Sequence, residues 1–294
     1  MNVLITGGTG FIGNRLVESL IDKGCDVTVL TRDKTKVANG IKAILDTNEI
    51  KTNEKIDVII NLAGASINKK WSDKYKKELI DSRVDTTKNI VSLIKRLKKK
   101  PELLISASAI GYYGSQGDAV LDEESQPKNE FTYQLCRKWE TQALKAEKLG
   151  VRVCITRLGV VLGKNGGALK QMTPPFKMCL GGKIGSGRQY FSWVHIDDVI
   201  SAFMFLIKNK EQSGTYNLTA PCPVTNSKFT TTLGNCLKRP TLFPMPSFVV
   251  KILFGEMGET LLLKGQRVLP KKLKEAGFKF QYSTIEDALQ DIIK

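Results

Sequence analysis

The stretch from Leu4 to Gly13, LITGGTGFIG, constrains this chain more than any other. Val3 to Thr6 reads as a short apolar strand. Phe11 to Lys23 has helical spacing, with Ile12, Leu16, Leu20 and Ile21 along one side. Between them, Gly8, Gly10 and Gly13 form G-x-G-x-x-G, and Gly7, Gly10 and Gly13 form the related G-x-x-G-x-x-G. A bare glycine pattern is weak, but one that ends a strand and opens a helix has a mechanism. The early glycines allow a tight turn and close approach to a pyrophosphate, and Gly13 allows close helix–strand packing. The helix N-terminus adds free N–H groups and a positive dipole end.

The rest of the chain extends this start. Strand patterns at Asp26 to Leu30, Ile41 to Leu45, Ile56 to Leu62, Leu103 to Ser106 and Val151 to Leu158 alternate with helical ones. The longest helix is expected over Ser72 to Lys98, with Ile80, Val84, Thr87, Val91 and Ile94 as its buried stripe. Another is expected over Phe131 to Leu149. This order predicts an α/β fold, a doubly wound parallel sheet of Rossmann type with a smaller, mostly helical C-terminal domain. The dinucleotide-binding domain is expected over 1–160, completed by 195–220. The remainder, 161–194 and 221–294, reads as a glycine- and proline-rich substrate-side loop and the small domain.

Strand two ends Leu30-Thr31-Arg32. A carboxylate there would bind ribose hydroxyls and select NAD, whereas a guanidinium pairs with a 2′-phosphate. Arg32 therefore favours NADP, although the adjacent Asp33 keeps the opposite reading open. Strand four ends Asn61-Leu62-Ala63-Gly64, small residues where a cofactor can lie against the backbone. Strand five ends Ser106-Ala107-Ser108-Ala109-Ile110-Gly111-Tyr112-Tyr113, and its serines either contact ligand or cap the following turn.

The net charge is +16, from 45 Lys and Arg against 29 Asp and Glu. The lysine groups at 69–70, 74–77 and 98–100 lie at helix ends or polar faces without interleaved aromatics, so no specific nucleic-acid partner is expected. Six scattered cysteines without a C-x-x-C pair, and a single histidine, argue against a metal site or disulfide framework. The opening MNVLITGG lacks the features of a signal peptide, and no stretch reaches the roughly 18 apolar residues of a membrane span. A cytoplasmic protein without a membrane partner is expected, as a monomer or homodimer.

The TGGTGFIG start, NLAGA at strand four and SxSAxxYYG at strand five resemble the extended short-chain dehydrogenase/reductase superfamily. The segments WSDKYKKELIDSRVDTT, CRKWE, TRLGVVLGKNGGAL, GSGRQYFSWVHIDD, GTYNLTAP and LLLKGQRVLPKKLKEAGF narrow this to its atypical branch, the epimerase family proteins. The resemblance implies NADP(H) binding. It assigns Gly7, Gly10, Phe11, Ile12 and Gly13 to the pyrophosphate loop and Thr31 and Arg32 to the 2′-phosphate. Leu62 and Ala63 pass along the cofactor, and Arg83 reaches it from the long helix, together with Glu78; Gly64 and Ser106, at the ends of strands four and five, are added as cofactor contacts by the strand-end reading.

One departure bears on mechanism. The superfamily's usual Tyr-x-x-x-Lys pair falls on Thr132 and Cys136 here. Tyr133 and Arg137 stand one step later, about 100° around the helix. Ser108 and Tyr112 are then the candidate catalytic groups. Arg188 is a candidate substrate contact, with Lys183 beside it, His195 is read either as a structural hydrogen-bonding residue or as a substrate contact, and Asp197 or Asp198 is the expected cap of the helix after His195. Arg157 is expected in an internal or cofactor-facing ion pair. Two functions fit: an NADP-dependent oxidoreductase or epimerase on a small or nucleotide-linked substrate, or a nonenzymatic NADP(H)-binding sensor.

Overall fold

Seven strands form one parallel sheet in the computed structural model, which describes residues 1–164 and 166–294. They are β1 (Asn2–Thr6), β2 (Asp26–Leu30), β3 (Lys42–Ile44), β4 (Val58–Asn61), β5 (Leu103–Ala109), β6 (Arg152–Leu158) and β7 (Gly214–Leu218). Their spatial order is β3-β2-β1-β4-β5-β6-β7, and every neighbouring pair runs parallel. The order reverses between β1 and β4, which opens a crevice at their carboxyl ends. Ligands of open α/β sheets bind in such a crevice.

Both faces of the sheet are covered, which explains why β4 and most of β5 are apolar without alternation. Val3 and Ile5 point to one face, against Leu16, Val17 and Leu20 of α1 (Phe11–Asp22) and Val199 and Phe203 of the later helix Ile196–Lys208. Leu4, Ile59 and Leu104 point to the other. There they meet Ile90, Leu93 and Ile94 of α2 (Asp73–Arg96) and Ala143 of α3 (Phe131–Ala143). The fully buried line on α2 runs through Leu79, Thr87, Ile90, Leu93 and Ile94. Ile80, Val84 and Val91, expected in that line, are only half-buried, because α2 packs against α3 as well as the sheet and so presents a broader face. The expected helix over Phe131 to Leu149 also divides: α3 ends at Ala143 and a 3-10 segment runs from Leu144 to Leu149.

The segment expected as loop holds regular structure. Val160–Leu162 pairs in parallel with Trp193–His195, and α4 (Leu169–Lys177) carries Pro174 and Pro175 inside it. Two prolines remove helix hydrogen bonds. Here burial of Leu169 and Phe176 in a third core, with Trp193, Phe229 and Leu289, outweighs that loss. The helix Ile196–Lys208 is α5. The C-terminal piece is mostly helical, with α6 (Asn226–Leu237), α7 (Ser247–Gly258, kinked at Gly255), α8 (Lys271–Glu275) and α9 (Ile285–Ile293). Short strand pairs tie it to the main body: Arg267–Val268 to Val120–Leu121, and Val224–Thr225 to Tyr190–Phe191.

Candidate functional site

The glycine turn lies at the crevice. Gly7 has φ +71°, and a Cβ there would sit 2.8 Å from the Leu62 carbonyl carbon and oxygen, so the turn abuts the end of β4. A Cβ on Gly13 would overlap the Gly7 carbonyl oxygen, so α1 starts directly against the turn. Gly10 occupies the N-cap position with no side-chain cap, which leaves the first amides of α1 directed into the crevice. The ring of Phe11 lies against the backbone of Gly163, Gly166 and Gly167, so the loop after Leu162 covers the start of α1.

At the end of β2 the Asp33 carboxylate is engaged. It accepts hydrogen bonds from the Thr35 amide and hydroxyl and faces Lys36 at 3.6 Å. These bonds, that of the Thr35 side chain foremost, hold its pKa below the ordinary carboxylate value. The Thr31 hydroxyl accepts the Asp33 amide proton at 3.1 Å and shapes the same turn. Arg32 is exposed and makes no ion pair among the described residues. Asp33, which kept the opposite reading open, thus has its carboxylate engaged in a local turn.

Asn61 orders the end of β4 from beneath. It accepts from the Thr6 hydroxyl at 2.7 Å and donates to Thr87 Oγ1 at 2.8 Å and Ser106 Oγ at 3.4 Å, all buried. Beyond it, Arg83 lies directly under Gly64, where a Cβ would sit 2.8 Å from the guanidinium carbon. Arg83 donates to the carbonyls of Leu79 and Ala65 and stacks over Trp139 at 5.2 Å. No carboxylate pairs with it among the described residues, and burial pushes its pKa below the ordinary arginine value. A partly desolvated cation without a counter-ion at this crevice is a ready anion site. Glu78 is exposed one turn before Ser82, whose hydroxyl accepts the Ala65 amide proton.

The end of β5 departs from expectation. The sequence reading puts Ser108 against substrate. In the structure Ser108 is 2% exposed, and its hydroxyl donates to Glu140 Oε1 at 2.6 Å. Glu140 also holds Arg157 in a bidentate pair, with both nitrogen–oxygen distances 2.9 Å. This is the internal partner of the two foreseen for Arg157. Burial lowers the Arg157 pKa, but the Glu140 hydrogen bonds and charge outweigh it and the net shift is upward. Arg157 further donates to the Tyr113 hydroxyl at 3.0 Å, which donates to Asn217 at 2.6 Å. Burial pushes the Tyr113 pKa up to about 12.

Tyr112 lies on the outer side of this network. Its ring centre is 3.3 Å from the Arg157 guanidinium carbon, and it meets Tyr113 and Tyr133 edge-on at 5.4 and 5.3 Å. The half-buried phenol has no hydrogen-bond partner among the described residues. Thr132 and Cys136 both face inward. The Cys136 thiol contacts the Ala109 carbonyl at 3.6 Å, and burial, then Glu140, raises its pKa to about 11. The Thr132 hydroxyl is buried without a partner. Arg137 is exposed, its guanidinium 6.0 Å from the Tyr133 ring centre.

Of the two readings of His195, the structure shows the structural hydrogen bond and not a substrate contact. The residue is 1% exposed, and its Nδ1 accepts the Asp197 amide proton at 3.1 Å, capping α5. The aspartates expected to cap do other work. Asp198 accepts the amides of Gln281 and Tyr282, and Asp197 faces Arg15 at 3.5 Å. The imidazole stacks on Tyr282 and turns Nε2 toward Asp291 at 3.4 Å. His195, Asp197 and Asp291 thus cluster, but an Nδ1 that accepts a hydrogen bond leaves the proton on Nε2, away from metal ligation. Arg188 is exposed on the loop before β-strand Tyr190–Phe191 and makes no ion pair among the described residues.

The sequence reading missed the roles of Glu140, Asn61 and Trp139. None lies in a spacing that announces chemistry; each acts through neighbours distant in sequence.

Comparison with known proteins agrees with this architecture. The profile described as NAD dependent epimerase/dehydratase family matches residues 3–219, and a domain of unknown function, DUF1731, matches residues 245–292. The chain is 42% identical to the epimerase family protein SDR39U1 homolog, chloroplastic, of Arabidopsis thaliana, over all of this chain and 87% of that protein. It is 41% identical to epimerase family protein SA0724 of Staphylococcus aureus, covering 99% of this chain and 98% of that one. The solved structure of human epimerase family protein SDR39U1 with NADPH superposes with a TM-score of 0.91 at 33% identity, over 100% and 99% of the two chains. UDP-glucose 4-epimerase of Thermus thermophilus, with NAD, shares the fold at a TM-score of 0.79 and 18% identity, over 100% and 98%. The chain belongs to the NAD dependent epimerase/dehydratase family, on the SDR39U1-like, atypical short-chain dehydrogenase/reductase branch.

Proposed function

We propose that this chain is an NADP(H)-dependent oxidoreductase or epimerase acting on a small or nucleotide-linked substrate. The observation that carries the cofactor is the half-buried Arg83 guanidinium, unpaired by any described carboxylate, beneath the backbone of Gly64. The glycine turn and the free amides of α1 fit a pyrophosphate, and Arg32, with Asp33 turned to Thr35, fits a 2′-phosphate. The NADPH of the human relative supports the same choice. Gly7, Gly10, Phe11, Ile12, Gly13, Thr31, Arg32, Leu62, Ala63, Gly64 and Arg83 would hold the cofactor, with Glu78 at its edge, whereas Ser106, fully buried and receiving the Asn61 amide, supports the end of β4 from beneath and does not meet it.

When bound, NADP(H) supplies a hydride donor or acceptor at its nicotinamide ring. Tyr112 is the phenol free to give or take a proton at a substrate oxygen. Arg157, fixed by Glu140, holds the Tyr112 ring in place, and Ser108 completes the Glu140 shell rather than meeting substrate. Arg188 is the exposed cation suited to an anionic substrate group. The committed Ser108 hydroxyl and inward-facing Thr132 and Cys136 favour a second reading, an NADP(H) sensor without turnover.

NADPH should bind at least about tenfold more tightly than NADH, and Arg32→Asp should abolish the preference; equal affinities in the parent protein would refute the assignment. Metabolites captured on NADPH-loaded protein should then be assayed for turnover. Tyr112→Phe should lower turnover by roughly 10²- to 10⁴-fold, the usual loss of an acid/base, while Tyr133→Phe stays within about threefold. Turnover insensitive to Tyr112→Phe would dismiss the phenol, and absence of turnover on every captured metabolite would select the sensor.

A further inference from the structure

The C-terminal piece carries an apolar surface that the cofactor site does not use. Helix α7 is apolar nearly all round, a pattern ordinarily found in buried helices. Only one side of it is covered: Val250, Phe254 and Met257 face inward, the last two packing with Trp71, Leu79 and Phe131. On the other side Phe248, Ile252 and Leu253 are 65%, 73% and 58% exposed. The surface continues along the segment that enters α7. Leu242 and Phe243 are exposed there, and Phe243 donates its amide to Gly181, which brings exposed Met178 and Leu180 alongside. Monomeric soluble proteins rarely expose contiguous apolar patches of this kind without a use.

The charges around the patch identify what covers it. Its acids are neutralised, Glu256 by Lys76 and Glu259 by Lys251 at 3.8 Å. At one end Lys177, Lys238 and Arg239 are exposed, joined through an Arg239 hydrogen bond to the Lys177 carbonyl. At the other, Lys69 and Lys70 are exposed, and Lys70 reaches Gly255 of α7. None of these five cations has an ion pair among the described residues. Phenyl and aliphatic tips projecting from a convex helix, rimmed by unpaired cations, match the boundary of an anionic bilayer. A second copy fits less well, since each carries a net charge of +16 and the same basic rim. We propose that this face docks reversibly on anionic membrane surfaces. No described helix is long and apolar enough to cross a membrane, and surface docking needs none. The expectation of no membrane partner rested on the lack of such a span.

The test is co-sedimentation with vesicles, cofactor present or absent. Vesicles of equal parts phosphatidylglycerol and phosphatidylcholine should pull down the protein, and phosphatidylcholine alone should not. Raised salt should weaken binding. The double variant Phe248→Ser, Ile252→Ser changes only exposed side chains and should abolish sedimentation while NADPH affinity and circular dichroism stay unchanged. Lys69→Glu with Lys70→Glu should weaken binding at least about tenfold. No sedimentation with anionic vesicles overturns the proposal, as does sedimentation indifferent to both double variants. A stable dimer by light scattering that the Phe248 and Ile252 changes dissociate would also overturn it, by assigning the face to a second copy.

Discussion

Glu140 receives the Ser108 hydroxyl and two Arg157 nitrogens in a site closed to water, and this one carboxylate decides which side chains at the end of β5 remain available. Removing one partner of a buried ion pair strands the other's charge, so the cluster is rigid and Tyr112 is left as its outward-facing member. His195 shows the same dependence on neighbours. Burial holds its pKa below the ordinary histidine value, against the pull of Asp197 and Asp291. In the unfolded chain the imidazole takes up a proton as pH falls through about 6.5. The folded protein accepts it only at lower pH, since Nδ1 already receives the Asp197 amide. This contribution to stability is therefore complete above about pH 6.5 and is lost as pH falls toward the depressed folded value. His195→Asn keeps a capping acceptor without titrating. The urea midpoint of the parent should drop more than that of the variant between about pH 7.5 and 5.5. Parallel profiles would show that the imidazole carries no such linkage.

At the scale of elements, the junction of β1 with α1 was fully legible. A strand, a spaced glycine set and an amphipathic helix are local patterns, and the structure places α1 over Phe11–Asp22 against an expectation ending at Lys23. Gly13→Ala tests how tightly the junction is made. Its Cβ would overlap the Gly7 carbonyl oxygen, which is backbone and has little freedom to move. The variant should lose about 1–3 kcal/mol of stability and bind NADPH at least about tenfold more weakly. Calorimetric titration and thermal melting would measure both, and unchanged NADPH affinity would mean that the turn does not approach the pyrophosphate. Helix α4 was not legible. Pro174 and Pro175 argue for a loop by propensity, and only the packing of Leu169 and Phe176 against elements far along the chain reverses that.

For the whole molecule, the alternation of strands and helices sufficed to predict a parallel sheet covered on both faces, because burial on two sides imposes apolar runs and crossover helices. The location of the crevice followed, since loops at the carboxyl ends of β1, β2 and β4 are set by strand order. Arg32 could be read as a phosphate ligand from its place after β2. What Asp33 does could not, because its commitment to Thr35 depends on how the turn folds. Ser108 and His195 carry chemically suggestive side chains at suggestive positions. Their partners, Glu140 and the Asp197 amide, are chosen by the packing of α3 against β5 and by the start of α5. The net charge likewise says little alone; only the folded chain sets unpaired lysines beside an uncovered apolar helix. Local periodicity and glycine geometry are properties of neighbours in sequence, so the sequence determined the Rossmann frame and the glycine turn. Hydrogen-bond partnership and exposure arise between residues distant in sequence, so the tertiary structure alone decided which polar groups were spent in the core and which were left to act.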